Sequence, residues 1–242
     1  MAQELSKSQA DRLGQRLRKG SPTEEDLWLL DVFRRSFAPA YEEVKRVLAD
    51  ELGLELSGRP QKTTDSIVAK LLREKTSLPR MQDISGCRIV VSTSAEQDNV
   101  VERIGARFPG SKKKDRRSDP SHGYRAVHVV VYVFGLPIEI QVRTSLQDGW
   151  AQLSEKMADL IGTDVKYGGG PEAAQRILQL VAKKVDELEK TEGVLAFMPR
   201  EVPEFEELAG HMETVRADLS QLISDILLEL EDIRRQGDDL SD

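Results

Sequence analysis

Two carboxylates stand at the edges of apolar runs in this chain: Asp83 in "MQDISGCRIVV" and Glu139 in "PIEIQVRT". Carboxylates at strand ends suit Mg²⁺, which takes one or two of them and completes its shell with substrate phosphates and water. Cations able to neutralise such phosphates lie nearby in sequence. Arg59, Lys62, Lys70, Arg73 and Lys75 crowd "SGRPQKTTDSIVAKLLREK", and Arg88 follows Gly86. Lys70 and Arg73 share a helical face with Ser66. Phosphoryl chemistry is one reading of this group; a solvated basic face is the other.

The stretch "HGYRAVHVVVYVFGLPIEIQVRT", residues 122–144, reads as two β-strands around a short turn. Side chains alternate faces along a strand. Ile138, Ile140 and Val142 therefore share one face of the second strand, and Glu139, Gln141 and Arg143 share the other. On the first strand Tyr124, Ala126, His128 and Val130 oppose the valines 127, 129, 131 and 133. A turn at Gly135-Leu136 would set Arg143 opposite His128 and Gln141 opposite Val130, with both polar rows on one side. A solvated face would also alternate in this way. Against it, the row holds no Lys or Ser, and Gly123 precedes Tyr124 where backbone could approach a ligand.

The elements that must position these residues follow from periodicity and breakers. A helix without a strong core stripe is expected over 3–18. A second runs over about 23–51, opened by Thr23 and its acidic first turn, bent at Pro39, with Leu27, Leu30, Phe33 and Phe37 inward. "LELSGRP" (54–60) and "CRIVVS" (87–92) read as strands. Helices are expected at 62–75, with Ile67, Leu71 and Leu72 inward, and at 95–107. "GSKKKDRRSDPSHG" (110–123) reads as a charged loop, and the hairpin strands as 125–133 and 137–143. Beyond Thr144 the pattern is helical, at 145–162, 171–192 and 204–236. The last helix carries Leu219, Leu222, Ile223, Ile226, Leu227 and Leu230 on one stripe, which suits packing on its own domain or on a partner. Gly168-Gly169-Gly170 follows no strand and reads as a hinge rather than a phosphate loop.

The fold class is thus α+β: a single mixed β-sheet flanked by helices, with helical N- and C-terminal extensions. The segments are 1–52 (N-terminal helical), 53–162 (core) and 163–242 (C-terminal helical). The 242 residues carry 39% hydrophobic and 32% charged residues and a net charge of −7, so a generally basic nucleic-acid binder is not indicated and DNA is not an expected partner. Cys87 is the single cysteine, which excludes an internal disulfide; its apolar setting suits a buried thiol. No run approaches the roughly 20 apolar residues of a membrane span, and no signal peptide opens the chain, so a cytoplasmic protein is expected.

Five segments in order resemble the RelA/SpoT-type synthetase domain: "GRPQKTTDSIVAKLLRE", "QDISGCRIVV", "KKKDRRSDPSHGYRAVHVVV", "PIEIQVRT" and "WAQLSEKM". They cover about 55–160, and the length is similar to that of a small stand-alone alarmone synthetase. The resemblance implies a nucleotidyltransferase-like synthetase fold and a GTP diphosphokinase of the stringent response. Such an enzyme transfers the pyrophosphate of ATP to the 3′-hydroxyl of GDP or GTP with Mg²⁺, making (p)ppGpp. It implies Asp83 and Glu139 as catalytic metal carboxylates, with Glu139 also a candidate to activate the attacking hydroxyl. It places Arg59, Ser66, Lys70, Arg73 and Arg88 on ATP. Tyr124 would stack on the acceptor base, His128 and Gln141 would line its pocket, and Arg143 would contact phosphate or orient the carboxylates.

Departures fall on the acceptor side. Arg116 stands where the family has Tyr, His122 where it has Asn, and Ser154-Glu155 where it has Glu-His. Two further readings therefore stay open. One is a toxic relative that pyrophosphorylates the 3′ end of tRNA or an adenosine nucleotide, with an antitoxin as partner and "KKK" 112–114 as a docking strip. The other is an inactive nucleotide-binding regulatory module, against which the intact Asp83 and Glu139 speak. A homo-oligomer is the remaining partner the resemblance implies.

Overall fold

The computed structural model describes residues 5–20, 22–57, 61–74 and 76–239. Helix α1 spans Lys7–Leu17 and α2 spans Glu24–Arg35. Each opens with a capping box, Ser6 with Gln9 and Thr23 with Asp26, which satisfies otherwise orphaned N–H groups. The long helix expected over 23–51 is broken. Arg35 ends α2, α3 runs Ala38–Arg46, and a π-helical turn, Val47–Glu51, completes it. Pro39 lies in the first turn of α3, where its missing N–H removes no helical bond, so it starts a helix rather than bending one.

Then follow α4 (Thr64–Glu74), β1 (Gly86–Val91), α5 (Ser94–Arg107), β2 (Lys112–Asp115), β3 (Val127–Val133) and β4 (Leu136–Thr144). After them come α6 (Ser145–Ile161), α7 (Glu172–Leu195) and α8 (Phe205–Asp239). The strands form one mixed four-stranded sheet in the order β1-β4-β3-β2. The expected α+β class with a single sheet is therefore observed. Two local expectations change. The three lysines 112–114 form an edge strand, not a loop; exposed lysines suit an edge because they discourage further pairing. Of "LELSGRP", Ser57 pairs as an isolated bridge with Arg88, and 58–60 lie outside the described residues.

Two compact units are resolved. The first holds the described residues up to Ile89 with Val101–Lys114 and His128–Gln141; the second holds Val90–Val100, Asp115–Val127 and the described residues from Val142. In the first, Ala10, Leu13 and Leu17 are buried, a stripe the sequence reading had not credited to α1. Gly14 on the same face comes so close to Leu78 that a Cβ there would lie 3.0 Å from the leucine's own. Ile67 and Leu71 are buried as expected, whereas Leu72 and Leu27 are exposed. Cys87 is buried, which pushes its thiol up to about 12 and makes it inert. In the second unit Leu219 and Ile223 of α8 are buried, and Ile226, Leu227 and Leu230 pack on the same core of α6 and α7. Of that stripe Leu222 stays exposed, so α8 packs on its own unit.

The hairpin turn is Phe134-Gly135, with φ of 51° and 77°, the left-handed pair that two-residue hairpins favour. This shifts the register by two residues from the expected one. Val133 now precedes and Leu136 follows the turn, which sets His128 opposite Gln141 and Ala126 opposite Arg143. Because the shift is even, the polar rows stay on one face.

Candidate active site

In the first unit, Lys62 is pinned through its backbone. Its N–H donates to the Ile84 carbonyl at 2.8 Å, and its own carbonyl accepts from Arg34 Nη1 at 3.2 Å. That delivers its ammonium to Asp83 Oδ2 at 2.8 Å, and Lys70 from α4 donates to the same oxygen at 2.8 Å. Burial alone would push the Asp83 carboxyl up, but the charges and hydrogen bonds of Lys62 and Lys70 outweigh it and hold it below its ordinary value. Lys70 is held above its ordinary value: burial opposes the charge, and the Asp83 partner outweighs burial.

Glu139 is bound at both oxygens. His128 Nδ1 lies 2.9 Å from Oε1, and Gln141 Nε2 donates to Oε2 at 2.9 Å. Burial raises this carboxyl too, yet the hydrogen bond and charge of His128 and the bond from Gln141 bring it below its ordinary value, against a smaller upward push from Asp83. A glutamate so stabilised is a weak base, better suited to holding a cation than to taking a proton.

Gly86 has no room for a side chain, because a Cβ there would run into the Glu139 carbonyl. Gly86→Ala should therefore cost about 1–3 kcal/mol of stability. It should also shift the Glu139 backbone, so thermal melts and turnover fall together in that variant.

Asp83 gives a second prediction. Its folded-state pKa lies below the unfolded value near 3.8, so its stabilisation is fully present above that value and is lost as pH falls through the folded pKa. Thermal melts of wild type and Asp83→Asn should keep a constant gap from pH 7 down to about 5, and that gap should close at more acid pH.

A divalent cation fits this group. Asp83 Oδ1 is buried and accepts no hydrogen bond. An orphaned anionic oxygen beside a second carboxylate is what a hard cation requires, and Mg²⁺ needs only one or two protein carboxylates. Among the described residues no group of three or more His, Cys, Asp or Glu could hold a metal ion.

The other residues expected on the donor are placed as follows. Thr63 Oγ1 donates to the Ser66 hydroxyl at 2.8 Å at the start of α4. Arg73 is exposed and pairs with Glu74 at 3.1 Å. Arg88 lies in β1, exchanging backbone bonds with Ser57 at 2.7 and 2.9 Å. Arg59 lies outside the described residues.

In the second unit, Arg143 is buried. Its Nη1 reaches Asp148 Oδ1 at 2.9 Å, its Nη2 donates to the Tyr124 hydroxyl at 3.0 Å, and its guanidinium lies 5.1 Å from the Tyr124 ring centroid. Burial would lower the guanidinium pKa, and Tyr124 and Asp148 raise it instead. Tyr124 also stands 6.3 Å from the Trp150 ring, and the Trp150 indole donates to the Leu178 carbonyl at 2.8 Å. The half-buried tyrosine is thus braced by both a cation and an indole. His122 and His211 are exposed.

Sequence reasoning named Lys62 among the phosphate cations without its tie to Asp83, and missed Asp148. Lys62 reads as one of several lysines until its backbone anchors are seen. Asp148 lies one turn into α6, and only its spacing from Arg143 could have suggested the pair.

The first unit thus combines carboxylates with clustered lysines on and around one mixed sheet. Residues 58–160 match the model of the region found in RelA / SpoT proteins. That segment of the chain is thus similar to the RelA/SpoT region. The chain is 34% identical over 163 residues to an uncharacterized protein of Mycobacterium tuberculosis, covering 66% of this chain and 52% of that protein. It is 31% identical over 121 residues to the GTP pyrophosphokinase YwaC of Bacillus subtilis, covering 43% of this chain and 58% of the relative. The chain thus spans about half the length of the mycobacterial relative. The fold is shared with the small alarmone synthetase 1 from Bacillus subtilis, at a TM-score of 0.54 and 23% identity, over 69% of this chain and 96% of that one. Among the described residues no helix is long and apolar enough to cross a membrane.

Proposed function

We propose that this protein is a pyrophosphokinase that moves the β,γ-pyrophosphate of ATP to the ribose 3′-hydroxyl of GDP or GTP. The observation that carries this reading is Asp83: a carboxylate with one oxygen held by Lys62 and Lys70 and the other buried without a hydrogen bond. The relatives support it, since one is a GTP pyrophosphokinase and the fold is that of a small alarmone synthetase solved with its product pppGpp.

Asp83 and Glu139 would hold Mg²⁺, which when bound neutralises phosphate charge and polarises the β-phosphorus. The chain's own residues do the rest. Lys62 and Lys70 are positioned to meet the donor's phosphates, with Arg59, Ser66, Arg73 and Arg88 as further donor contacts. His128 and Gln141 hold the Glu139 carboxylate in place and ionised. In the second unit the braced Tyr124 offers a plate for the acceptor base, and Arg143 holds that plate rather than reaching outward. In the transfer, the acceptor 3′-oxygen forms a bond to the β-phosphorus, the bond to the α-phosphoryl oxygen breaks, and AMP leaves carrying that oxygen. The hydroxyl proton passes to solvent or to a base. Positioning and charge stabilisation supply the rate.

The test is γ-³²P-ATP with Mg²⁺ and, in separate reactions, GDP, GTP, ATP or bulk tRNA. Label on a guanine nucleotide is the expected result. Label confined to tRNA would replace the proposed acceptor and give the exposed Lys112–Lys114 edge a docking role. No transfer would point to a binding module.

A further inference from the structure

Helix α7 lies outside the RelA/SpoT region at 58–160, yet it reaches the segment that carries Tyr124. Three contacts inside the second unit do this. Gly123, at φ +92°, packs so closely that a Cβ would lie 3.0 Å from that of Ala182 and 2.9 Å from Trp150 Cζ2. Trp150, the neighbour of the Tyr124 ring, is tied to α7 through the Leu178 carbonyl. Asp186 Oδ1 accepts from Arg125 Nη1 at 2.9 Å, with both side chains largely buried (20% and 13% exposed).

The third contact is an ion pair, and it extends into a wider network. The same Arg125 Nη1 donates to the Arg117 carbonyl at 2.7 Å. Arg117 in turn is bound to Asp115 and Asp98, at 2.7 Å each. Asp186 therefore fixes the arginine that staples the two ends of the 115–127 segment together, directly beside Tyr124. Its other oxygen takes only the exposed Lys190, at 2.8 Å.

We propose that Asp186 is a positioning residue for the acceptor nucleotide, acting through Arg125 on the segment that presents Tyr124. This rests on the reading that Tyr124 receives the acceptor base. A lone core contact would tolerate many residues. A carboxylate that orients a shared guanidinium requires an acceptor of the right length, so the conservative change and the truncation should differ.

The test uses the full chain and the variants Asp186→Ala, Asp186→Glu, Arg125→Ala and the double Asp186→Ala/Arg125→Ala. KM is measured for the guanine acceptor at saturating ATP and for ATP at saturating acceptor. Amide hydrogen exchange of residues 115–127 is compared with that of 61–74. In Asp186→Ala the acceptor KM should rise about tenfold, the range of coupled neighbours. The ATP KM should stay within twofold, and exchange should speed up in 115–127 but not in 61–74. Asp186→Glu should recover most of the loss, and the double variant should be no worse than Arg125→Ala. An unchanged acceptor KM, an equal rise in both KM values, or additive losses in the double variant would overturn the inference while wild-type activity keeps the pyrophosphokinase reading intact. A wild type that labels no guanine nucleotide would sink that reading, and the acceptor role of Asp186 with it.

Discussion

Glu139→Gln should abolish pyrophosphate transfer, lowering turnover by on the order of 10²–10³-fold or more while the protein stays folded. The two side chains are nearly the same shape, so packing is preserved. What changes is charge and hydrogen-bond polarity. His128 and Gln141 both face the carboxylate at 2.9 Å, and a carboxamide offers an acceptor to only one of them. The site also loses half of its proposed cation ligands. Because His128 and Gln141 hold this carboxylate ionised against its burial, removing its charge gives up that stabilisation as well. The variant should therefore melt somewhat below wild type, stay folded and be inactive. A variant that melts normally and retains near-wild-type turnover would remove Glu139 from the chemistry.

Asp83→Asn should be equally damaging to turnover and should cost stability too. Lys62 and Lys70 both converge on one carboxylate oxygen at 2.8 Å, with side chains only 16% and 20% exposed. A neutral amide leaves two ammonium groups converging on an uncharged partner, with Glu74, 3.7 Å from Lys70, as a weaker counter-charge. Breaking a half-buried pair from one side costs about 1–3 kcal/mol here, at the low end for buried charges because some water reaches the lysines. Turnover should fall on the order of 10²–10³-fold, with a higher Mg²⁺ requirement, read from a metal titration. Equal Mg²⁺ dependence in variant and wild type would contradict the metal role of Asp83. Both variants should lose activity together with some stability.

How much of this was legible in the sequence differs by element. The hairpin was legible because its alternation is strict and both apolar rows are β-branched, Ile138, Ile140 and Val142 against the valines of β3. Its register was not, because Phe134 adopts a left-handed φ that nothing in its side chain favours, and so the turn falls one residue earlier than Gly135-Leu136 suggests. The paired carboxylates could be named from local context, but not the lysine clamp on Asp83, which depends on Arg34 and Ile84 holding the Lys62 backbone from distant segments. The stripe Ala10, Leu13 and Leu17 was passed over because three small or medium residues among many charges make a weak signal, while the structure gives all of them full burial. The edge strand Lys112–Asp115 carries no hydrophobic pattern at all; its conformation is imposed by pairing with β3. The same reason hid Asp186, since a contact between α7 and Arg125 is separated by some sixty residues and leaves no periodic trace.

The central claim is that the chain transfers a pyrophosphoryl group, and its most direct measurement is the nucleotide balance of a single reaction. Purified protein, ATP, GDP and Mg²⁺ are incubated, and all nucleotides are resolved by anion-exchange chromatography. The account predicts AMP formed one-for-one with a guanosine nucleotide that has gained two phosphates at its 3′ position, and neither product with Glu139→Gln. ADP or inorganic phosphate as the ATP-derived product, or AMP with no modified guanine nucleotide, would contradict it.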